Sequence, residues 1–189
     1  MKIIGIDLAG KEENPTGICI LCGDGVKLLT LHTDQELISF VRKVNPSLIA
    51  IDAPLSLPKG RCCLEKDCEC AVGGHFRKAE REIRPYGRVL PLTFRGMKML
   101  TLRGIELGKA LKKEHMVIET HPRTNQKLLG FKDLEKDLNE IYDLPEDQSE
   151  HELDAILAAI VGCMYLKGKS VELGDPEEGI IVIPNKKYL

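Results

Sequence analysis

The chain has 189 residues, room for one domain with a core that needs no disulfide staples. Lys and Arg number 27 against 29 Asp and Glu, a net charge of −2 that excludes a uniformly basic nucleic-acid coat and an acidic tail protein. Hydrophobic residues at 43 % and charged ones at 30 % read as soluble and globular, while four Phe, four Tyr and no Trp speak against a base-stacking platform.

Lys2 precedes only a short apolar run before Asp7, too short for a secretory signal. The run Ile3 to Leu8 reads as a buried strand, followed by a loop through Lys11–Pro15. Thr16 to Leu21 and Val26 to Leu31 flank Gly23-Asp24-Gly25, a hairpin signal. Thr33 and Glu36 form a capping box for a helix with Leu37, Ile38, Val41 and Val44 on one face. Asn45-Pro46 stops it, and Leu48 to Ile51 is a second buried strand closed by Asp52-Ala53-Pro54.

Residues 55 to about 115 break this rhythm and read as an insertion in a domain that otherwise spans 1–189. The segment holds four of the seven cysteines and two expected helices, near Arg77–Arg84 and Lys98–Lys113. Met116 to Ile118 is another buried strand, ending in Glu119, and a helix-and-loop stretch follows to about 146. Ser149 and Glu152 cap a helix whose core face carries Leu153, Ile156, Leu157, Ile160 and Met164. Its uncharged run Ala155–Leu166 is twelve residues, too short for a membrane span. Gly174-Asp175-Pro176 reads as a turn and Ile180–Ile183 as a terminal strand. Strands that first meander and then cross over through helices define an α/β fold with a mixed sheet. A cytoplasmic location, no membrane partner and reduced thiols are expected; the oligomeric state stays open.

Three apolar strands run into an acid: Ile4-Gly5-Ile6 into Asp7, Ile49-Ala50-Ile51 into Asp52, and Met116-Val117-Ile118 into Glu119. An acid after a buried strand is costly unless it is paired, solvated or bound to metal, although a turn or cap role is the bland reading for any one of them. Parallel neighbours would set the three side by side at the end of the sheet where α/β proteins bind ligands. Their repulsion calls for a divalent cation, and carboxylate oxygens suit Mg²⁺ or Mn²⁺. His151 and Asp154 lie three apart on the last capped helix and share a face. His121 and Arg123 follow Glu119 closely and join the candidates.

Gly5 to Lys11 nearly matches a phosphate-binding loop but has Glu12 where Ser or Thr must meet Mg²⁺. Cys62, Cys63, Cys68 and Cys70 form a cluster that offers Zn²⁺ four thiolates; disulfides or reduced thiols are the alternatives. Cys19, Cys22 and Cys163 read as core thiols. Phe76 to Lys113 carries eleven basic residues against three acids, and Phe131 onward carries fourteen acids against six basic residues. Within the basic stretch Arg77, Arg81, Arg84 and Arg88 recur at helical spacing, either a phosphate-binding stripe or a solvated face paired with Glu80 and Glu82.

The segments Gly5-Ile6-Asp7-Leu8-Ala9-Gly10, Ile51-Asp52-Ala53-Pro54, Glu119-Thr120-His121-Pro122-Arg123 and His151-Glu152-Leu153-Asp154-Ala155 together resemble a family of predicted nucleases with an RNase H-like fold. Ala79–Arg84 and Gly174–Gly179 extend the resemblance over nearly the whole chain. It implies five main strands, flanking helices and a RuvC-like acidic site in which Asp7, Asp52 and Asp154 hold two metal ions. Glu119 stands on a less standard strand, and His151 matches the His-x-x-Asp of RuvC-like sites.

The expected function is therefore metal-dependent phosphodiester hydrolysis of DNA or RNA, with Asp7, Asp52, Glu119, His151 and Asp154 as the catalytic set. Arg77, Arg81, Arg84, Arg88, His121 and Arg123 would bind the nucleic acid. The alternative is a nucleic-acid-binding or interaction module that keeps the fold without the chemistry.

Overall fold

Alternation along the strands determines how this chain stacks. The structure is a computed structural model that describes residues 1–65, 68, 69 and 71–188. Strands β1 (Lys2–Asp7), β2 (Thr16–Cys22) and β3 (Gly25–Leu31) form the expected meander. Helix α1 (Asp34–Val44) follows with the Thr33–Glu36 capping box in place, and β4 (Leu48–Asp52) returns parallel to β1. Between β4 and β5 (Val117–Thr120) lie a short 3-10 turn at Ala71–Gly73, helix α2 (Lys78–Ile83) and the long helix α3 (Arg95–Leu111). Helices α4 (Pro122–Leu129), α5 (Leu134–Asn139) and α6 (Glu150–Leu166) lead to a terminal hairpin, β6 (Ser170–Asp175) and β7 (Gly179–Pro184).

Among the described residues, seven strands form one mixed sheet in the order β3-β2-β1-β4-β5-β7-β6. The core β1-β4-β5-β7 is parallel and each edge is closed by antiparallel pairing. The expectation of five strands is corrected. The strand that chain-order reading misses is β6, whose Gly174-Asp175 looks like a turn in sequence but pairs with Ile180 and Gly179 across the hairpin. It is an edge strand without a fully buried residue, so it lacks the apolar run that marks β1 and β4.

Register sorts the side chains into two layers. Ile3, Leu48, Ala50, Ile118 and Val182 face α6, whereas Ile4, Ile6, Ile49 and Ile51 face α1 and α3. Ile181 and Ile183, on this second face, pack against Ala79 and Ile83 of α2. Asp7 and Asp52 are register partners at the ends of β1 and β4, so both fall on the α6 face. Glu119 pairs with Ile51 and falls on the other.

Helix α6 lies against the sheet with almost no side chain between the backbones. A methyl group at Gly5 would collide with the Ala155 carbonyl oxygen, and one at Gly17 with the carbonyl of His151. Small residues continue the seam at Ala155, Ala158, Ala159 and Gly162. None of the described helices is long and apolar enough to cross a membrane. Of the three cysteines read as core thiols, Cys19 is buried, Cys163 is half-buried and Cys22 is exposed at the end of β2.

Candidate active site

Asp7 and Asp52 end adjacent parallel strands in register, which sets their side chains one strand spacing apart on one face. Gly17 is the register partner of Asp7 on the other side, and its missing side chain lets the first turn of α6 settle over the strand ends. The Ser149–Glu152 capping box fixes where that helix begins. His151 is thereby placed with Nδ1 2.6 Å from Asp7 Oδ2, and Asp154, one turn on, turns inward and is buried. Arg123, near the start of α4, holds Nη2 3.7 Å from Asp154 Oδ2 and 3.9 Å from Glu150.

The electrostatics of this cluster are unfavourable as they stand. Burial pushes the Asp52 carboxyl well above the ordinary range, and the negative charges of Asp7, Asp154 and Glu119 push it further. Burial raises Asp7 as well, against the hydrogen bond and charge of His151. Asp154 is pushed up to about 6, first by burial and then by Asp7 and Glu150, although Arg123 and His151 pull it down. Its Oδ1 is buried without a hydrogen-bond partner. A buried carboxylate oxygen left without a donor costs free energy on the order of 1–3 kcal/mol or more. Three oxygen-donor carboxylates, one with an orphaned buried oxygen, fit a hard divalent cation such as Mg²⁺ or Mn²⁺.

Glu119 is built into a different network. Arg77, entirely buried, pairs through its guanidinium with both Glu119 and Glu80 and donates to Ser56 Oγ at 2.7 Å. Leu55 N–H donates to Glu119 Oε2 at 2.9 Å, so Glu119 also anchors the chain leaving β4. Burial raises the Glu119 carboxyl while Arg77 opposes the shift. The structure thus corrects two expectations. Arg77 is absent from any exposed stripe, because its charge is spent on two buried acids. Glu119, one register step from Asp52, points away from the α6 face.

The rest of the arginine stripe also divides. Arg81 donates to the Phe76 carbonyl and approaches Glu178 at 3.9 Å. Arg84 lies over the Phe76 ring, 4.2 Å from its centre. Only Arg88, beyond the end of α2, reaches the clefts around the acids. His121 caps α4, accepting the Thr124 N–H at its Nδ1. The sulfurs of Cys62, Cys63 and Cys68 group within 4.8 Å, a spacing that a shared ion and direct sulfur contact both satisfy; Cys70 lies outside the described residues.

Sequence reasoning missed Lys127, which shares a cleft with Arg88 and Arg123. Its spacing of four from Arg123 on a helix was the available signal. It also missed that the glycine in Thr16-Gly17-Ile18 marks a close backbone approach, which an interior strand glycine often does.

No family model matches the chain, and no curated protein matches it. Solved structures do. The chain is similar to T. thermophilus RuvC in complex with Holliday junction substrate, at 14 % identity and a TM-score of 0.51, over 89 % of this chain and 96 % of that one. The fold is RuvC-like. A second match, the Thermus thermophilus RuvC structure, covers the same shares at 12 % identity and a TM-score of 0.44.

Proposed function

We propose that the protein is a metal-dependent phosphodiesterase that hydrolyses nucleic acid, with Asp7, Asp52 and Asp154 as the metal ligands. The observation that carries this reading is that Asp7 and Asp52 end adjacent strands in register, that Asp154 of α6 acts on Asp52 and is acted on by Asp7 through its charge, and that its own buried Oδ1 has no donor. The RuvC-like fold supports it, since the RuvC compared above is bound to a Holliday junction. Bound Mg²⁺ or Mn²⁺ would supply positive charge for the phosphoryl oxygens and lower the pKa of an attacking water.

The chain's own groups have distinct tasks. With Asp7 ionised, the His151 Nδ1–H donates to Asp7 Oδ2, which leaves Nε2 as the basic nitrogen. His151 is half-exposed and therefore reaches a water at the mouth of the site, which it orients or deprotonates. The water oxygen bonds to phosphorus as the bond to the 3′-oxygen breaks. Arg123, exposed beside Asp154, meets the phosphate of the incoming strand. Glu119 acts through Arg77 as a positioning residue for the chain between β4 and α2.

The test is cleavage of labelled single-stranded, duplex and four-way-junction DNA and RNA with Mn²⁺ or Mg²⁺. Asp7→Asn is expected to lower the rate at least about a hundredfold, as loss of a ligand or charge-stabilising group does. Equal rates in both proteins, or no cleavage of any substrate, would overturn the reading. Metal-independent binding unaffected by Asp7→Asn would favour a binding module instead.

A further inference from the structure

Beside Asp52 a pocket of about 190 Å³ opens between the end of the sheet and the loop joining α2 to α3. Leu90, Leu92, Met97, Ala53 and Pro54 make it largely apolar. Three acids border it: Asp52 of the acidic cluster, and Glu80 and Glu119, both already held by Arg77. The Thr120 hydroxyl is taken up by Val182 and Asn125, and the two other polar side chains, Asp52 apart, are donors. One is the Arg88 guanidinium. The other is His121, where the Thr124 N–H donating to Nδ1 leaves the proton on Nε2. Burial keeps the His121 ring below the usual histidine range, so it is a neutral donor near pH 7.

A second, open groove shares Arg88 and Leu90 with this pocket and continues past Tyr86 to Arg123 and Lys127. Among the described residues that line it are three cations and no acid, and Lys186 sits over the Tyr86 ring at 5.6 Å. Each cleft touches the acidic cluster once, the pocket through Asp52 and the groove through Arg123 beside Asp154. The pocket is smaller than the roughly 300–1,000 Å³ of sites for drug-sized ligands, which suits a single ring system. Apolar walls with a few convergent donors recognise the acceptor edge of a base.

We propose that this pocket takes one unpaired nucleobase of a strand whose backbone follows the Arg88–Arg123–Lys127 groove, so that the neighbouring phosphate faces Asp7, Asp52 and Asp154. The substrate class is then single-stranded nucleic acid or a duplex with a base that can leave the stack. This deepens the phosphodiesterase reading and rests on it.

The test uses the full chain carrying Asp7→Asn with Mg²⁺, so that strands remain uncut. Binding is followed by fluorescence anisotropy for a labelled strand of about twelve nucleotides, the matched duplex and a wholly abasic strand of equal length. The intact single strand is expected to bind about tenfold or more tighter than either of the others. Adding Met97→Trp, which fills the pocket, should remove that advantage while duplex binding stays within about twofold. Should that variant not fold, the abasic comparison carries the test alone. Equal affinity for intact and abasic strands, or for single strand and duplex, overturns the pocket assignment, as does failure of every strand to bind. Cleavage by the unaltered chain is read in parallel. Cutting without base dependence removes the pocket and leaves the nuclease, whereas base-dependent binding without cutting removes the nuclease and leaves the pocket.

Discussion

Arg77 is charged, long and completely buried, and the carboxylates of Glu80 and Glu119 close around it. A basic residue in a run of four at helical spacing gives no sign of this, because Glu80 three positions on is equally able to pair with it on an exposed face, and burial depends on the strand it meets. The acid it meets is Glu119, forty-two positions away, and only the register of β5 against β4 turns that side chain toward α2. By contrast, Asp7 and Asp52 are legible, since each ends an apolar strand and parallel pairing in step needs no further information. Breaking a buried pair by removing one partner strands the other charge in the interior. Arg77→Met should therefore cost about 3–5 kcal/mol, read as a drop in the urea midpoint. Combining it with Glu80→Gln and Glu119→Gln should recover most of that loss, because no buried charge is then left unpaired. A triple variant no more stable than Arg77→Met would show that Arg77 acts by packing alone.

At the level of elements, the decisive contact is α6 on β1 and β2. The helix, its capping box and its apolar face are all visible in sequence, and so are the strands beneath it. Two features are not. The edge strand β6 has too few apolar residues to announce itself, and the depth at which α6 sits depends on glycines that sequence alone does not link to it. A Cβ at Gly17 would meet the His151 backbone and one at Gly5 the Ala155 backbone, neither of which can rotate aside as a side chain would. Gly17→Ala should thus lift the first turn of α6 from the strand ends and open the 2.6 Å contact of His151 with Asp7. Overpacking of this kind costs about 1–3 kcal/mol. Cleavage should fall more than that loss implies, measured well below the melting temperature of the variant, while Gly23→Ala in the exposed β2–β3 turn should lose stability without this excess. Equal activity per folded molecule in Gly17→Ala and the native chain would mean that helix depth is immaterial to the site.

Across the whole molecule the near-neutral charge conceals local imbalance, and the acidic site is one place where like charges gather. Asp154 faces Asp7, Asp52 and Glu150 on the acidic side, and Arg123 and His151 on the basic side. Its pKa of about 6 means that the folded chain binds a proton there that the unfolded chain, at the ordinary 3.8, has already released. The folded state then holds the extra proton between these values, so its stability from this group is complete below about pH 4 and is lost as pH rises through about 6. A shift of this size corresponds to something on the order of 3 kcal/mol. His121, whose pKa is lowered, pulls the opposite way as pH falls below 6.5, so the informative quantity is the difference between the native chain and Asp154→Asn, in which that contribution cancels. In EDTA the two proteins should have nearly equal thermal stability just below about pH 4, where Asp154 is largely protonated in both the folded and the unfolded chain and resembles asparagine. By about pH 8 the variant should be the more stable by up to that amount. Adding Mg²⁺ or Mn²⁺ at pH 8 should reverse the order, because a ligand that binds only the folded state stabilises it and the variant has lost a ligand oxygen. A difference that is flat from about pH 4 to 8, or a native melting temperature indifferent to both metals, would show that the three carboxylates form no cation site. With both results as expected, the repulsion that destabilises the metal-free fold is the same interaction that gives the metal its affinity.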